Sequence, residues 1–218
     1  MYFESRAHAG QKLAAELLEK YRFENCAVVA LSDGGVIVGE QIAAALHSVL
    51  TMIIAEDIDI PGEGLSFGGV SHTGSFVQNS EFTNDQMQGY VSEYHGYLEE
   101  QKREAFQRIN RLLGDGGIID AELLRDRTVI LVSDGFSNAT IVDVALNFLK
   151  PIRVNKLIVA APVASEEVIN KLHMSADELH ILDVKTNFFD TNHYYDDNEI
   201  PSREDTIKKI NNIILNWK

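Results

Sequence analysis

Residues Thr128 to Leu149 read T-V-I-L-V-S-D-G-F-S-N-A-T-I-V-D-V-A-L-N-F-L, an apolar strand, an acid, a glycine turn, a hydroxyl-rich loop and an amphipathic helix. That order suits the binding of a phosphate. The strand's carboxyl end delivers Asp134, and Gly135 lets the chain turn sharply. Ser137, Asn138, Ala139 and Thr140 then set backbone N–H groups at the positive end of the following helix. Gly135, Phe136, Ser137, Asn138, Ala139 and Thr140 are therefore the candidate phosphate cradle. A plainer role stands beside this one: Ser137 or Asn138 caps the helix, and Asp134 shapes the turn.

The elements that must position this loop are legible from apolar spacing. Ala9, Leu13, Leu17 and Leu18 recur at helical period within 5–21, with Ser5 as the cap. A continuous apolar run at 26–32 reads as a buried parallel strand, and 49–55 as a second one. Gly34 and Gly35 break the chain between them before Val36 to Leu46 resume at helical period. Residues 61–83 read as a loop with a short hairpin at Thr73-Gly74, and 84–113 as a long polar helix broken near Gly96 and ended by Gly114, Gly116 and Gly117. Strand 128–133, helix 139–149, strand 154–161, helix 165–173 and strand 178–182 follow, then an aromatic, acidic loop at 186–200 and a helix from Ser202. Alternation of this kind predicts an α/β, doubly wound, mainly parallel sheet. The chain is expected to be one domain over 1–218, with a hood or lid inserted at about 61–113.

Composition narrows the function classes. A net charge of −14 argues against binding nucleic acid or an anionic membrane, both of which need clustered Lys and Arg. Cys26 is the only cysteine, so neither an intrachain disulfide nor a cysteine zinc site is available, and it reads as a small core residue. No run approaches the roughly 20 apolar residues of a membrane span, and the first residues lack a signal-peptide pattern. A cytoplasmic protein is expected.

Further segments carry a family resemblance. F-E-S-R-A-H-A-G-Q-K-L-A at the start resembles the F-x-D-R-x-x-A-G-x-x-L-A opening of a bacterial group of phosphoribosyltransferase-like proteins. V-A-L-S-D-G-G-V-I-V-G-E-Q-I-A resembles that group's A-L-P-R-G-G-V-x-V-x-x-x-I-A, and H-Y-Y-D-D-N-E-I-P-S-R-E-D its W-Y-x-D-F-x-x-x-x-D-E-E end. The loop at 133–140 resembles the phosphoribosyl-pyrophosphate loop of the type I phosphoribosyltransferases, two acids followed by G-x-x-T-G-x-T. Together with A-A-P-V-A at 160–164, these segments cover nearly the whole chain in the right order.

The resemblance implies the type I phosphoribosyltransferase fold. It also implies a glycosyltransferase of nucleotide metabolism that moves ribose 5-phosphate from phosphoribosyl pyrophosphate to a nucleobase-like acceptor. On that basis the 135–140 loop holds the 5-phosphate, and Ser133 and Asp134 meet the ribose, with Asp134 as the catalytic candidate and as a carboxylate for Mg²⁺, the one cofactor implied. The departures are specific. Ser133 replaces the first acid, and Ala139 or Asn138 stands where a glycine brings backbone to phosphate. Asp33 replaces the arginine before Gly34 and Gly35, so the pyrophosphate site formed by Ser32, Asp33, Gly34 and Gly35 is altered. A basic pair is likewise replaced by Glu56 and Asp57. Carboxylates where the family has cations predict weak binding of phosphoribosyl pyrophosphate.

Among the other residues, Arg6 matches the family's opening arginine and is read as a ligand or partner contact, or as a helix-face ion pair. His8, His47, His72, His95, His173, His180 and His193 show no metal spacing. Tyr90, Tyr94 and Tyr97 recur at helical spacing, as packing or as a platform for a base, and Phe188, Phe189, Tyr194 and Tyr195 are open in the same way. The sequence thus predicts a phosphoribosyltransferase-fold protein with a degenerate site. It would bind a small phosphorylated ligand or a protein partner in a regulatory role, with a homodimer among the assemblies to be tested. An active transferase and a metal-dependent enzyme using the acidic cleft are the alternatives.

Overall fold

The computed structural model describes residues 2–113, 120–138 and 140–216. The chain divides into two compact units, one of Met1–Ile53, Ile118–Asn138 and Pro151–Lys218, the other of Ile54–Gly117 and Ala139–Lys150.

The first unit is built on a five-stranded parallel sheet. Its strands are β1 (Cys26–Ala30), β2 (Val49–Met52), β6 (Thr128–Val132), β7 (Lys156–Ser165) and β8 (Glu178–Lys185), in the order β2-β1-β6-β7-β8. Every residue of β1 and β6 is buried, as their unbroken apolar runs require of strands covered on both faces. The α-helices of this unit among the described residues are α1 (Arg6–Tyr21), α2 (Asp33–Leu46), α6 (Glu166–Leu172) and α7 (Arg203–Asn216). Ser5 caps α1 by accepting from the His8 N–H, and Ala9, Leu13 and Leu17 form its buried stripe. Each large aliphatic side chain buried here contributes on the order of 1.5–3 kcal/mol. The chain leaves β1 towards β2 on one side, while β6 lies on the other, so the strand order reverses between β1 and β6. Ligands of doubly wound sheets bind at the carboxyl ends of the strands at this switch point, where Ser32-Asp33 and Ser133-Asp134 emerge.

The second unit holds a three-stranded antiparallel sheet of β3 (Ala55–Asp59), β4 (Ser66–Ser71) and β5 (Phe76–Gln78), ordered β3-β4-β5, with α3 (Asn84–Glu93), α4 (His95–Leu113) and α5 (Thr140–Leu149). Gly74, at φ 79°, makes the turn expected at Thr73-Gly74. A reciprocal capping box between Thr83 and Gln86 starts α3, and Leu98, Ala105 and Ile109 are the buried stripe of α4.

Several sequence expectations are corrected. The run 49–55 is two strands in two sheets, because β2 ends at Met52 and Ala55 already pairs with Ser71. Gly34 and Gly35 do not break the chain but form the first turn of α2, because Ser32 is extended and its hydroxyl caps the Gly35 N–H at 2.8 Å. β7 and β8 each run beyond their expected ends, continuing in register from Val163↔Asp183 to Ser165↔Lys185. The second compact unit begins at Ile54 and takes in α5. The interruption expected near Gly96 falls at Tyr94, the C-cap of α3. Gly114, Gly116 and Gly117, expected to end the long helix, lie outside the described residues, as does Ala139 of the loop.

Candidate functional site

The β1 and β6 ends meet around a buried ion pair. Arg6 is the first residue of α1, and its side chain turns inward, leaving 2 % exposed. Its Nε donates to Asp134 Oδ2 at 2.7 Å, and Nη2 donates to Asn192 Oδ1 at 2.5 Å. The guanidinium lies 4.5 Å from the centroid of the Tyr195 ring, a cation–π contact. The other carboxylate oxygen of Asp134, Oδ1, accepts from Ser32 Oγ at 2.6 Å. Tyr195 Oη donates to the Asp134 carbonyl oxygen at 2.5 Å. Burial, and then the negative charge of Asp134, raise the Tyr195 phenol well above its ordinary value, so it stays a donor. Gly34 makes this possible: a Cβ there would lie 2.1 Å from Asp134 Oδ2 and 2.6 Å from Arg6 Nε. Asp134 is thus accounted for within the protein, with a donor on each oxygen.

Ser133, in the place of the first acid, is buried and folded into its own turn. Its hydroxyl donates to the Gly135 carbonyl at 2.9 Å and accepts from the Gly135 N–H at 3.3 Å. Gly135 packs against Thr191, whose Cγ2 would lie 2.8 Å from an added Cβ. Phe136 is buried and forms a parallel bridge to Ala164, its N–H donating to the Val163 carbonyl at 3.1 Å. Two of the N–H groups expected of the cradle, those of Gly135 and Phe136, therefore already have protein acceptors. Ser137 is exposed, Asn138 is half-buried, and both belong to the first unit. Thr140 opens α5 in the second unit, fully buried, with its hydroxyl 3.4 Å from Ser66 Oγ.

The acids at the altered pyrophosphate positions are not bare. Asp33, the first residue of α2, accepts from Arg203 Nε at 2.7 Å. Its Oδ1 is buried without a hydrogen-bond partner among the described residues. In the second unit, Glu56 on β3 accepts from Arg108 on α4 through both Nε and Nη2, at 2.8 and 2.7 Å. Asp57 reaches solvent beside Asp59. Desolvation of part of its surface, and then the Asp59 charge, push its carboxyl upward. Asp33, Glu56 and Asp134 each have an arginine within hydrogen-bonding distance. Neither Arg203 and Arg108, beside Asp33 and Glu56, nor Asn192, beside Arg6, was marked as a partner by the sequence. Arg203 lies 170 residues from Asp33 and Asn192 lies 186 from Arg6, beyond the reach of any spacing argument.

Among the described residues no group of three or more His, Cys, Asp or Glu is arranged to hold a metal ion. Asp134, the carboxylate expected to take Mg²⁺, accepts from Arg6 and Ser32, and the positive charge of Arg6 against it opposes a protein-held Mg²⁺ there. No described helix is long and apolar enough to cross a membrane.

Comparison with known proteins agrees with this arrangement of strands and loops. A model of the phosphoribosyl transferase domain matches residues 3–196, and the chain belongs to that family. The crystal structure of TT1426 from Thermus thermophilus shares 26% identity, covers all of this chain and 99% of its own, and superposes with a TM-score of 0.70. Hypoxanthine phosphoribosyltransferase from Trypanosoma cruzi, in a ternary complex with substrates, is 13% identical over 93% of this chain and 90% of its own, with a TM-score of 0.50, a likeness of fold alone. Rv0571c of Mycobacterium tuberculosis, provisionally designated a phosphoribosyl transferase, is 24% identical over 192 residues, 86% of this chain. The chain spans only 41% of the length of that relative.

Proposed function

We propose that this chain is a member of the phosphoribosyltransferase family whose transferase site is degenerate and which binds a small phosphorylated ligand in a regulatory capacity. The observation that carries this reading is the engagement of both Asp134 oxygens by buried protein donors. Transfer of a phosphoribosyl group passes through a cationic, oxocarbenium-like state, so acids must hold the ribose hydroxyls while cations neutralise the departing pyrophosphate. Here the first acid is Ser133, closed on its own turn. The second is Asp134, whose oxygens accept from Arg6 and Ser32. A ribose hydroxyl at Asp134 would have to displace one of these buried donors or share its oxygen. A charge-assisted bond of that kind is worth about 1.5–3 kcal/mol, against a similar gain from the ligand, so displacement gains little.

Metal-dependent hydrolysis in an acidic cleft is the less favoured alternative, since the arginine beside each of Asp33, Glu56 and Asp134 offsets the charge that would attract a cation. Mg²⁺ then enters as the counter-ion of a polyphosphate ligand. The test is calorimetric titration with ribose 5-phosphate and with phosphoribosyl pyrophosphate, each with and without Mg²⁺. Binding of ribose 5-phosphate without turnover of the pyrophosphate supports this reading. Binding of neither compound would overturn it and favour a protein partner instead.

A further inference from the structure

Tyr194 and Tyr195, which the sequence leaves open as packing or as a platform for a base, are both buried. Tyr195 faces the loop that follows β6. Its ring lies against the Arg6 guanidinium and beside Phe3, with ring centroids 5.8 Å apart. Its hydroxyl donates to the Asp134 carbonyl oxygen at 2.5 Å. The N–H side of the same peptide is held as well, since Gly135 donates to Ser133 Oγ at 3.3 Å. The short turn Thr191–Tyr194 adds to this grip: Thr191 packs against Gly135, and Asn192 accepts from Arg6. That turn is fastened in its place by the start of the chain. Phe3 N–H donates to the Tyr194 carbonyl and Asp196 N–H to the Phe3 carbonyl, both at 2.9 Å.

We propose that Tyr195 is the positioning residue of the phosphate loop: its hydroxyl fixes the Asp134–Gly135 peptide and so sets the direction in which Phe136 and Ser137 leave the strand. The proposal rests on the reading that the 135–140 loop takes ribose 5-phosphate. Glycine constrains the backbone least of all residues, so the peptide before Gly135 is the one in this turn that rotates most easily. Half a turn about it exchanges a carbonyl for an N–H, and the negative end of the peptide dipole then points where a donor stood. A hydroxyl on a ring clamped between Phe3 and Arg6 has little freedom to follow such a rotation, so it resists it. Tyr195 thus acts through the main chain, whereas Ser137 is the exposed residue that meets the ligand.

The experiment compares the unmodified full chain with Tyr195→Phe and Tyr21→Phe. Tyr195→Phe keeps the ring against Arg6 and Phe3 and removes only the hydroxyl. Tyr21, at the opposite end of α1 from Arg6, loses another buried hydroxyl of the same unit, the donor to Glu178 at 2.7 Å, and so controls for stability. Thermal melts establish that each variant is folded. The readouts are the backbone amide resonances of Phe136 and Ser137 without ligand, and calorimetric titration with ribose 5-phosphate. Tyr195→Phe should move both resonances and weaken ribose 5-phosphate about tenfold. Tyr21→Phe should leave the resonances in place and the affinity within about twofold. The proposal is overturned if Tyr195→Phe leaves either readout unchanged, or if Tyr21→Phe changes both as much. In the unmodified protein the Tyr195 hydroxyl proton should exchange slowly with solvent, and rapid exchange would overturn the proposal without any substitution. If the unmodified protein takes no ribose 5-phosphate while the two resonances move in Tyr195→Phe alone, the ligand reading falls and the hold on the loop stands.

Discussion

Arg6 was legible in the sequence as a position and illegible as a role. Its place in the opening motif marked it, but a helix-face ion pair and a ligand contact fitted equally well until the fold brought Asp134 to 2.7 Å from Nε. Removing it leaves a carboxylate that is 6% exposed without its cation. Loss of one partner of such a buried pair costs about 3–5 kcal/mol, so Arg6→Gln should lower stability to urea by that order, with little residual folding at elevated temperature. Gly34→Ala should cost about 1–3 kcal/mol, since the added methyl meets Asp134 and Arg6 where neither can retreat without parting from the other. Equilibrium unfolding of the two variants checks both figures. A neutral Gly34→Ala would show that the clamp is looser than these distances imply. Asp33→Arg, which the sequence alone suggests as a repair of the pyrophosphate site, would instead set a like charge against Arg203.

At the scale of elements, the strands and helices of the parallel sheet could be read because apolar period and cap residues are local signals. Ser5 before α1 and the all-apolar β1 and β6 are examples. The boundary at 52–55 could not, because I-I-A continues an apolar run while the backbone changes sheets. The isolated bridge at Phe136 was hidden as well, since only pairing with Ala164 reveals it. Among the described residues of the loop Ser137 is the exposed one, so Ser137→Asp should abolish ribose 5-phosphate binding by like-charge repulsion while leaving the melting temperature nearly unchanged. Retained binding would remove the loop from the site.

A second element-scale consequence concerns acid. Glu178, at the start of β8, accepts from Lys20, Tyr21 and Lys156, and these contacts, Lys20 first, lower its carboxyl to about 2 from an ordinary 4.5. A carboxyl depressed in the folded state stabilises it fully above the ordinary value and loses that contribution as pH falls toward the depressed one. Melting temperature should therefore drop between about pH 4.5 and 2. Glu178→Gln should show a shallower drop over the same window. An identical pH profile for the variant would assign the acid sensitivity elsewhere.

For the whole molecule, the fold was readable because five weak motifs agreed in order along the chain, whereas the state of the site was not. Type and spacing identified Asp33, Glu56 and Asp134 as acids; only the folded chain supplied Arg203, Arg108 and Arg6 beside them. Family membership therefore establishes the scaffold, while the proposal that its ordinary chemistry is lost rests on the Arg6–Asp134–Ser32 arrangement. The most direct measurement is release of pyrophosphate from phosphoribosyl pyrophosphate, with Mg²⁺, across a panel of nucleobases. Release no faster than in the protein-free control is predicted for every base. Sustained release with any base, abolished in a folded Asp134→Asn variant, would contradict the account and make Asp134 a working residue of an active transferase.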